Sequence, residues 1–146
     1  MLTPESRMNA YITKMTTFWL MGESELVDVE VDGGEIGKGQ GLLVKRCRYL
    51  EEAGCASVCV NTCQIPTQSF FLEDMGLPLT MTPNYDTFEC EFAFGRTPPP
   101  PQENEALLVA CFAQCPSAAQ PTAAKPICHQ IQIDLVEGRE QGQRRP

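Results

Sequence analysis

CRYLEEAGCASVCVNTCQIPTQSFF, residues 47–71, decides how the rest of the chain is read. Cys55, Cys59 and Cys63 stand four residues apart. On an α-helix each step of four advances about 400°, about 40° past a full turn, so the three thiols share one stripe. Cys47, eight residues ahead of Cys55, joins the edge of that stripe if the helix is unbroken. Gly54 is a natural break before Cys55. Pro66 suits the first turn of a further helix through Phe70, Phe71 and Leu72, ended near Gly76. Residues 46–76 therefore read as two or three helical pieces carrying the densest cysteine cluster in the chain.

Both flanks read as β-hairpins. Upstream, Leu26, Val27, Val29 and Val31 alternate with Asp28 and Glu30, Asp32-Gly33-Gly34 has turn chemistry, and Leu42-Leu43-Val44 returns. The run from Gly33 to Lys38 superficially resembles a phosphate loop. It has three residues instead of four before Gly-Lys, and Gly39 stands where Ser or Thr belongs. Downstream, Thr80-Met81-Thr82 reads as a strand and Pro83-Asn84-Tyr85-Asp86 as a turn. Phe88, Cys90, Phe92 and Phe94 then alternate with Glu89 and Glu91, which predicts a half-buried strand with Cys90 on the face of three Phe. At the front, residues 4–21 predict one helix, capped by Thr3 and ended by Gly22, with Pro4 in its first turn and Glu5 at its positive end. Met8, Tyr11, Ile12, Met15, Phe18 and Trp19 recur at helical spacing. A core-facing stripe is the expected role. A membrane-touching helix is the alternative, prompted by the Phe18-Trp19-Leu20-Met21 cluster and opposed by the helix having Lys14 as its only Lys.

Composition sets the outer bounds. A chain of 146 residues is one domain by size. Segregated hairpins and helices, without strand–helix alternation, predict an α+β class: a single small Cys-rich domain, helices packed on short antiparallel hairpins, and a disordered C-terminal tail. The formal net charge is −8, which excludes general binding to the phosphate backbone of nucleic acids. Seven Lys/Arg face sixteen Asp/Glu up to residue 115, and four face three in the Pro-, Gln- and Ala-rich stretch after it. That change of composition predicts a domain over 1–116 and a low-complexity, disordered tail over 117–146. Ala106 to Cys115 is apolar and predicts a last short helix. The start lacks the apolar core of a secretory signal and the acid-poor character of a transit peptide, so reduced or metal-bound cysteines are expected.

Eight Cys and one His restrict the chemistry further. A lone His129 excludes a site built from several imidazoles, so any transition metal must be held mainly by sulfur. Cys111 and Cys115 repeat the four-residue step, and Pro116 follows. Four readings compete. Disulfides within the stripe are poor, because helical neighbours four apart hold their Cβ atoms about 5–6 Å apart and a disulfide wants about 3.8 Å; long-range pairs stay open. Zinc between Cys55-x3-Cys59 and Cys111-x3-Cys115 is a second reading. An iron–sulfur cluster or iron–thiolate centre is the third. The fourth treats some cysteines, Cys90 first, as small buried hydrophobes.

A longer pattern resembles a known family. It begins at Lys45-Arg46-Cys47-Arg48-Tyr49-Leu50-Glu51 and continues through Gly54-Cys55, Cys59-Val60-Asn61-Thr62-Cys63 and Pro66-Thr67-Gln68-Ser69-Phe70-Phe71. Met75-Gly76-Leu77-Pro78-Leu79, Pro83-Asn84-Tyr85, Cys90-Glu91-Phe92, Phe94-Gly95-x-x-Pro98-Pro99-Pro100 and Cys111-x3-Cys115-Pro116 complete it, with Tyr11 and Phe18–Gly22 upstream. The run, best over 45–116, resembles the C-terminal domain of the plastid β-carotene cis/trans isomerases, the iron-containing "dwarf" family of strigolactone biosynthesis. The resemblance implies an iron-dependent isomerase that converts all-trans-β-carotene to the 9-cis form in the chloroplast. It implies contact with β-carotene, peripheral contact with a membrane, and a carotenoid cleavage dioxygenase as partner, with no role for nucleic acid. The expected ligands are Cys55, Cys59 and Cys63, completed by Cys111 or Cys115, then Cys47 and last Cys90. The expected polyene slot is lined by Phe70, Phe71, Met75, Met81, Phe92 and Phe94, with Thr67 and Gln68 capping a helix or supporting the sulfurs. A carotenoid-binding or metal-stabilised interaction module without isomerase activity is the alternative.

Overall fold

Asp32-Gly33-Gly34 turns the chain between β1 (Ser24–Glu30) and β2 (Ile36–Val44). The Val31 N–H donates to Glu35 O at 2.9 Å across the turn, and Gly33 and Gly34 take φ of 90° and 75°. The glycine-rich stretch is thus a hairpin turn. The computed structural model that supplies this geometry describes residues 3–100 and 103–107. A second hairpin joins β3 (Leu79–Pro83) to β4 (Cys90–Phe94). The two hairpins merge into one antiparallel sheet of order β1-β2-β4-β3. The seam is β2 against β4, with Leu42 opposite Phe92 and Val44 opposite Cys90. At Gly41 a Cβ would collide with Val29 Cγ1 and lie 2.9 Å from Val27 Cγ2, where the β1–β2 register shifts. Only hydrogen fits there.

The front of the chain departs from the expectation of one helix over 4–21. It forms α1 (Pro4–Thr16) and α2 (Phe18–Met21), broken at Thr17. Thr3 caps α1 as predicted, its side-chain oxygen accepting the Ser6 N–H at 3.3 Å. The break follows from hydroxyls turned back onto the helix: Thr17 Oγ1 donates to Thr13 O at 2.7 Å and Thr16 Oγ1 to Ile12 O at 2.8 Å. Such back-bonding bends helices.

The orientation of α1 reverses the expected core face. It packs mainly on β2 and buries Ser6, Asn9 and Ala10. Met8, Tyr11, Ile12 and Met15, with Phe18 and Trp19 of α2, point outward. The small side chains let the helix lie close to the glycine-bearing strand. The polar ones are paired: Asn9 Nδ2 donates to Glu5 O at 2.9 Å, and the Ser6 and Thr3 hydroxyl oxygens lie 2.8 Å apart.

The cysteine-rich middle is helical in two runs. α3 (Arg48–Ala53) ends at Gly54, which takes the left-handed φ of 56° that a side chain would resist. A continuous helix follows: α4 (Ala56–Val58), a π-helical segment (Cys59–Gln64) and α5 (Ile65–Glu73). Pro66 sits in the first turn of α5, as expected, yet the helix does not stop there. Pro66 offers no N–H to the preceding turn, and that turn widens to the i→i+5 pattern.

Helix and sheet close over one main core that includes Leu42, Val44, Leu50, Leu77, Leu79, Met81, Phe92 and Phe94, while Val29, Val31 and Ala93 pack on the other face. The outer edge of β3 is covered by two glutamines one helical turn apart. Gln64 Nε2 donates to Met81 O at 2.9 Å, and the Met81 N–H donates to Gln68 Oε1 at 2.7 Å. A 3₁₀ turn (Glu105–Leu107) follows the proline segment. The rest of the predicted last helix, the domain boundary near 116 and the predicted disorder of 117–146 lie outside the described residues.

Candidate functional site

Four thiols from three parts of the chain meet in this core. Cys47 is the N-cap residue of α3. Its N–H donates to Phe88 O at 2.7 Å, which ties it to the turn before β4. Cys59 and Cys63 come from the π segment, and Cys90 opens β4. Cys47, Cys59 and Cys90 are buried in the cluster that holds Met81, Phe92 and Phe94, and Cys63 packs on it. Cys47, Cys55, Cys59, Cys63 and Cys90 are all free thiols.

The environment of Cys59, Cys63 and Cys90 keeps protons on sulfur. Burial pushes the Cys59 thiol up to about 12, with added repulsion from Cys63 and Cys47. Burial likewise raises Cys90 well above the ordinary thiol range, and Cys59, Cys47 and Cys63 push the same way. Cys63 is raised by burial and by Cys47, while the Thr67 hydroxyl hydrogen-bonds its sulfur and opposes the rise. Cys47, Cys59 and Cys63 all act on Cys90, and Cys47 acts on both Cys59 and Cys63.

Cys55 stands apart from them. It is the N-cap of α4 in extended conformation, and its Sγ lies 3.2 Å from Ser57 Oγ. The predicted single stripe of Cys55, Cys59 and Cys63 therefore does not form, because the helix begins after Cys55. Cys111, Cys115 and His129 lie outside the described residues. The donor chemistry of the cluster, soft sulfur in an apolar surround, suits iron or zinc. Among the described residues no three His, Cys, Asp or Glu side chains are spaced to close around a metal ion. The described residues gather thiols in one place without by themselves forming a finished coordination shell.

Two neighbours escape sequence reasoning. Gln64 is fully buried in the π segment, and its Oε1 has no hydrogen-bond partner among the described residues. Its four-residue spacing from Gln68 is the only signal the sequence carries. Phe88 takes a positive φ of 62°, the only non-glycine among the described residues to do so. A bulky residue there costs about 1–3 kcal/mol. The turn is over-determined: Asn84 Oδ1 accepts the Asp86 and Thr87 N–H groups, and the Arg46 guanidinium lies 5.2 Å over the Phe88 ring. Phe88 precedes β4 instead of belonging to it, so two of the three expected phenylalanines, Phe92 and Phe94, share the strand with Cys90.

Of the six residues expected to line a polyene slot, Phe70 and Met75 lie at the surface and Met81, Phe92 and Phe94 are buried. Phe70 is 49% exposed and Met75 50% exposed. Phe70 meets Phe71 edge-on at 5.4 Å between centroids, and Phe71 meets Phe94 edge-on at 5.3 Å. Phe94, Phe92 and Met81 are buried among the thiols. Thr67 supports Cys63, as expected of it, and Gln68 serves the backbone of Met81.

Residues 19–103 match the family described as Beta-carotene isomerase D27-like, C-terminal. The chain is 34% identical over 117 residues to "Beta-carotene isomerase D27, chloroplastic" of Medicago truncatula, a match covering 78% of this chain and 46% of that protein. It is 33% identical over 108 residues to the protein of the same name from Arabidopsis thaliana, covering 74% and 40%. The chain thus spans less than half the length of these curated relatives. No solved structure matches it.

Proposed function

The chain belongs to the β-carotene isomerase D27-like family, and from that premise we propose that it is a plastid carotenoid isomerase that interconverts all-trans- and 9-cis-β-carotene and depends on thiolate-held iron. The observation that carries this reading is the meeting of Cys47, Cys59, Cys63 and Cys90 with Met81, Phe92 and Phe94 in one apolar core.

A polyene double bond turns slowly because of its bond order. Iron held by these thiols would supply one-electron chemistry of the kind that lowers that order. The chain's own residues do the rest. Cys47, Cys59, Cys63 and Cys90 are not spaced to close around an ion as folded; they would have to draw together to supply sulfur to the metal, releasing protons as it binds. The Thr67 hydroxyl stabilises the Cys63 thiolate by donating to it. Burial of the cluster keeps water from the reacting region. Phe70, Phe71 and Met75 offer an apolar approach for a hydrocarbon that has no polar handle. The 9-cis product is handed to a carotenoid cleavage dioxygenase.

The test begins with chain purified without oxygen and loaded with iron. Incubation with β-carotene in detergent micelles is expected to bring the all-trans to 9-cis ratio to one value from either starting isomer. An unchanged ratio with iron bound overturns the reading. A second reading is favoured by the lack, among the described residues, of three donors spaced to close around an ion: a carotenoid-binding module without isomerase activity. Bound β-carotene with an unchanged isomer ratio supports it.

A further inference from the structure

The outward face of α1 and α2 has no role in the site described above. Met15 is 63% exposed, Phe18 61% and Trp19 72%, and Met8, Tyr11 and Ile12 extend the same face. These residues do not build the core, because α1 turns Ser6, Asn9 and Ala10 to the sheet instead. From Ser6 to Gly22 there is no carboxylate, in a chain of net charge −8, while Arg7 and Lys14 lie within the stretch. Two open grooves border the face. One, of about 420 Å³, is lined by Arg7 and Lys38 beside Pro4 and Ile36. The other, of about 390 Å³, places Arg7 next to Met8, Tyr11 and Leu26. At the far end Arg48 Nη1 donates to Trp19 O at 3.0 Å.

We infer that this face docks on a lipid bilayer, with Met15, Phe18 and Trp19 entering the interface and Arg7, Lys14 and Lys38 meeting headgroup phosphates. Large apolar side chains bordered by cations are what an interfacial helix presents to lipid, and Glu5, in the first turn of α1, is the one carboxylate of the two helices. No helix among the described residues is long and apolar enough to cross a membrane, so the face lies along the surface. The inference rests on the proposed function only in that β-carotene is dissolved in lipid, which makes a docked domain the shortest route for it.

Trp19 is the only tryptophan, so its fluorescence reports on this face alone. The full chain is mixed with carotenoid-free vesicles, either phosphatidylcholine–phosphatidylglycerol or phosphatidylcholine alone. Flotation with the vesicles is expected, with a blue shift of Trp19 emission and quenching by lipids brominated on their acyl chains. Phe18→Ser lowers the partition constant about tenfold on both vesicle types. Lys14→Gln lowers it about fivefold on the anionic vesicles only. Phe18 is solvent-facing and Lys14 half-buried, and circular dichroism verifies that each variant folds. Absence of flotation and of an emission shift overturns the inference, as does undiminished binding of a Met15→Ser/Phe18→Ser variant. A blue shift that follows protein concentration without vesicles, with a dimer in sedimentation, also overturns it, because the face then serves a second copy. The isomer assay in micelles is independent: its failure with flotation intact removes the proposed function and leaves the docking face standing.

Discussion

Cys59 concentrates the electrostatics of the thiol cluster at the residue scale. Its thiol is held neutral up to about 12, against an ordinary value of 9.0. An unfolded chain gives up this proton at lower pH than the folded one. The stabilisation is therefore complete below about pH 9 and is lost as pH rises towards 12. For the metal-free chain, urea unfolding is expected to show stability falling between about pH 9 and pH 12, by at most roughly 1.4 kcal/mol per pH unit for each such thiol. Cys59→Ala flattens that slope even though it leaves a small cavity. An equal slope in the variant assigns the effect to other groups. Metal binding must work against the same preference for the proton, so iron uptake is expected to release protons and to strengthen as pH rises through neutrality.

At the scale of elements, α1 and the edge of β3 give opposite lessons. The apolar stripe of α1 marks the solvent side, and the small-residue stripe marks the packed side. Ala10→Leu, at a position with no exposure, is expected to overpack the contact with β2 and to cost about 1–3 kcal/mol in urea unfolding. Ile12→Ser, 46% exposed, stays within about 0.5 kcal/mol. A helix packed through its apolar stripe would reverse that order. On β3, Gln68→Leu leaves the Met81 N–H without its partner and is expected to cost about 1–3 kcal/mol. Faster hydrogen exchange at the Met81 amide is the local signature, and unchanged exchange would show that Gln68 does not close this edge.

On the scale of the whole molecule, the pairing of β2 with β4 turns two local hairpins into one sheet and brings the thiols together. Cys47 follows β2, Cys90 opens β4, and the helix carrying Cys59 and Cys63 packs in the space between. The site exists only when that seam is formed. Leu42 lies at the seam with no exposure, opposite Phe92. Leu42→Ala is expected to lower stability by about 2–5 kcal/mol. Thiol labelling provides the second readout, with Cys59 and Cys90 becoming reactive together with global unfolding. Labelling of one long before the other would show that the cluster is not a single cooperative unit.

How much of this was legible in the sequence follows from the range of each interaction. Turn chemistry at Asp32-Gly33-Gly34, the Thr3 cap, the breaks at Gly54 and Gly76, and the α+β class depend on contacts a few residues apart, and the sequence determined them. The many ordered motifs from Lys45 to Pro100 likewise marked the family. Apolar periodicity located α1 but not its buried side, because periodicity finds a stripe and cannot tell whether protein or another medium covers it. The stripe of three cysteines failed for a related reason: Gly54 resets the helix at Ala56, leaving Cys55 as its cap. Alternation with phenylalanines marks Cys90 as a small buried hydrophobe and puts it last among the expected ligands. Only the tertiary structure placed it with Cys47, Cys59 and Cys63, because a strand pairing between residues 41–44 and 90–93 has no local signature. Apolar burial and long-range backbone pairing, rather than motif spacing, chose which thiols meet.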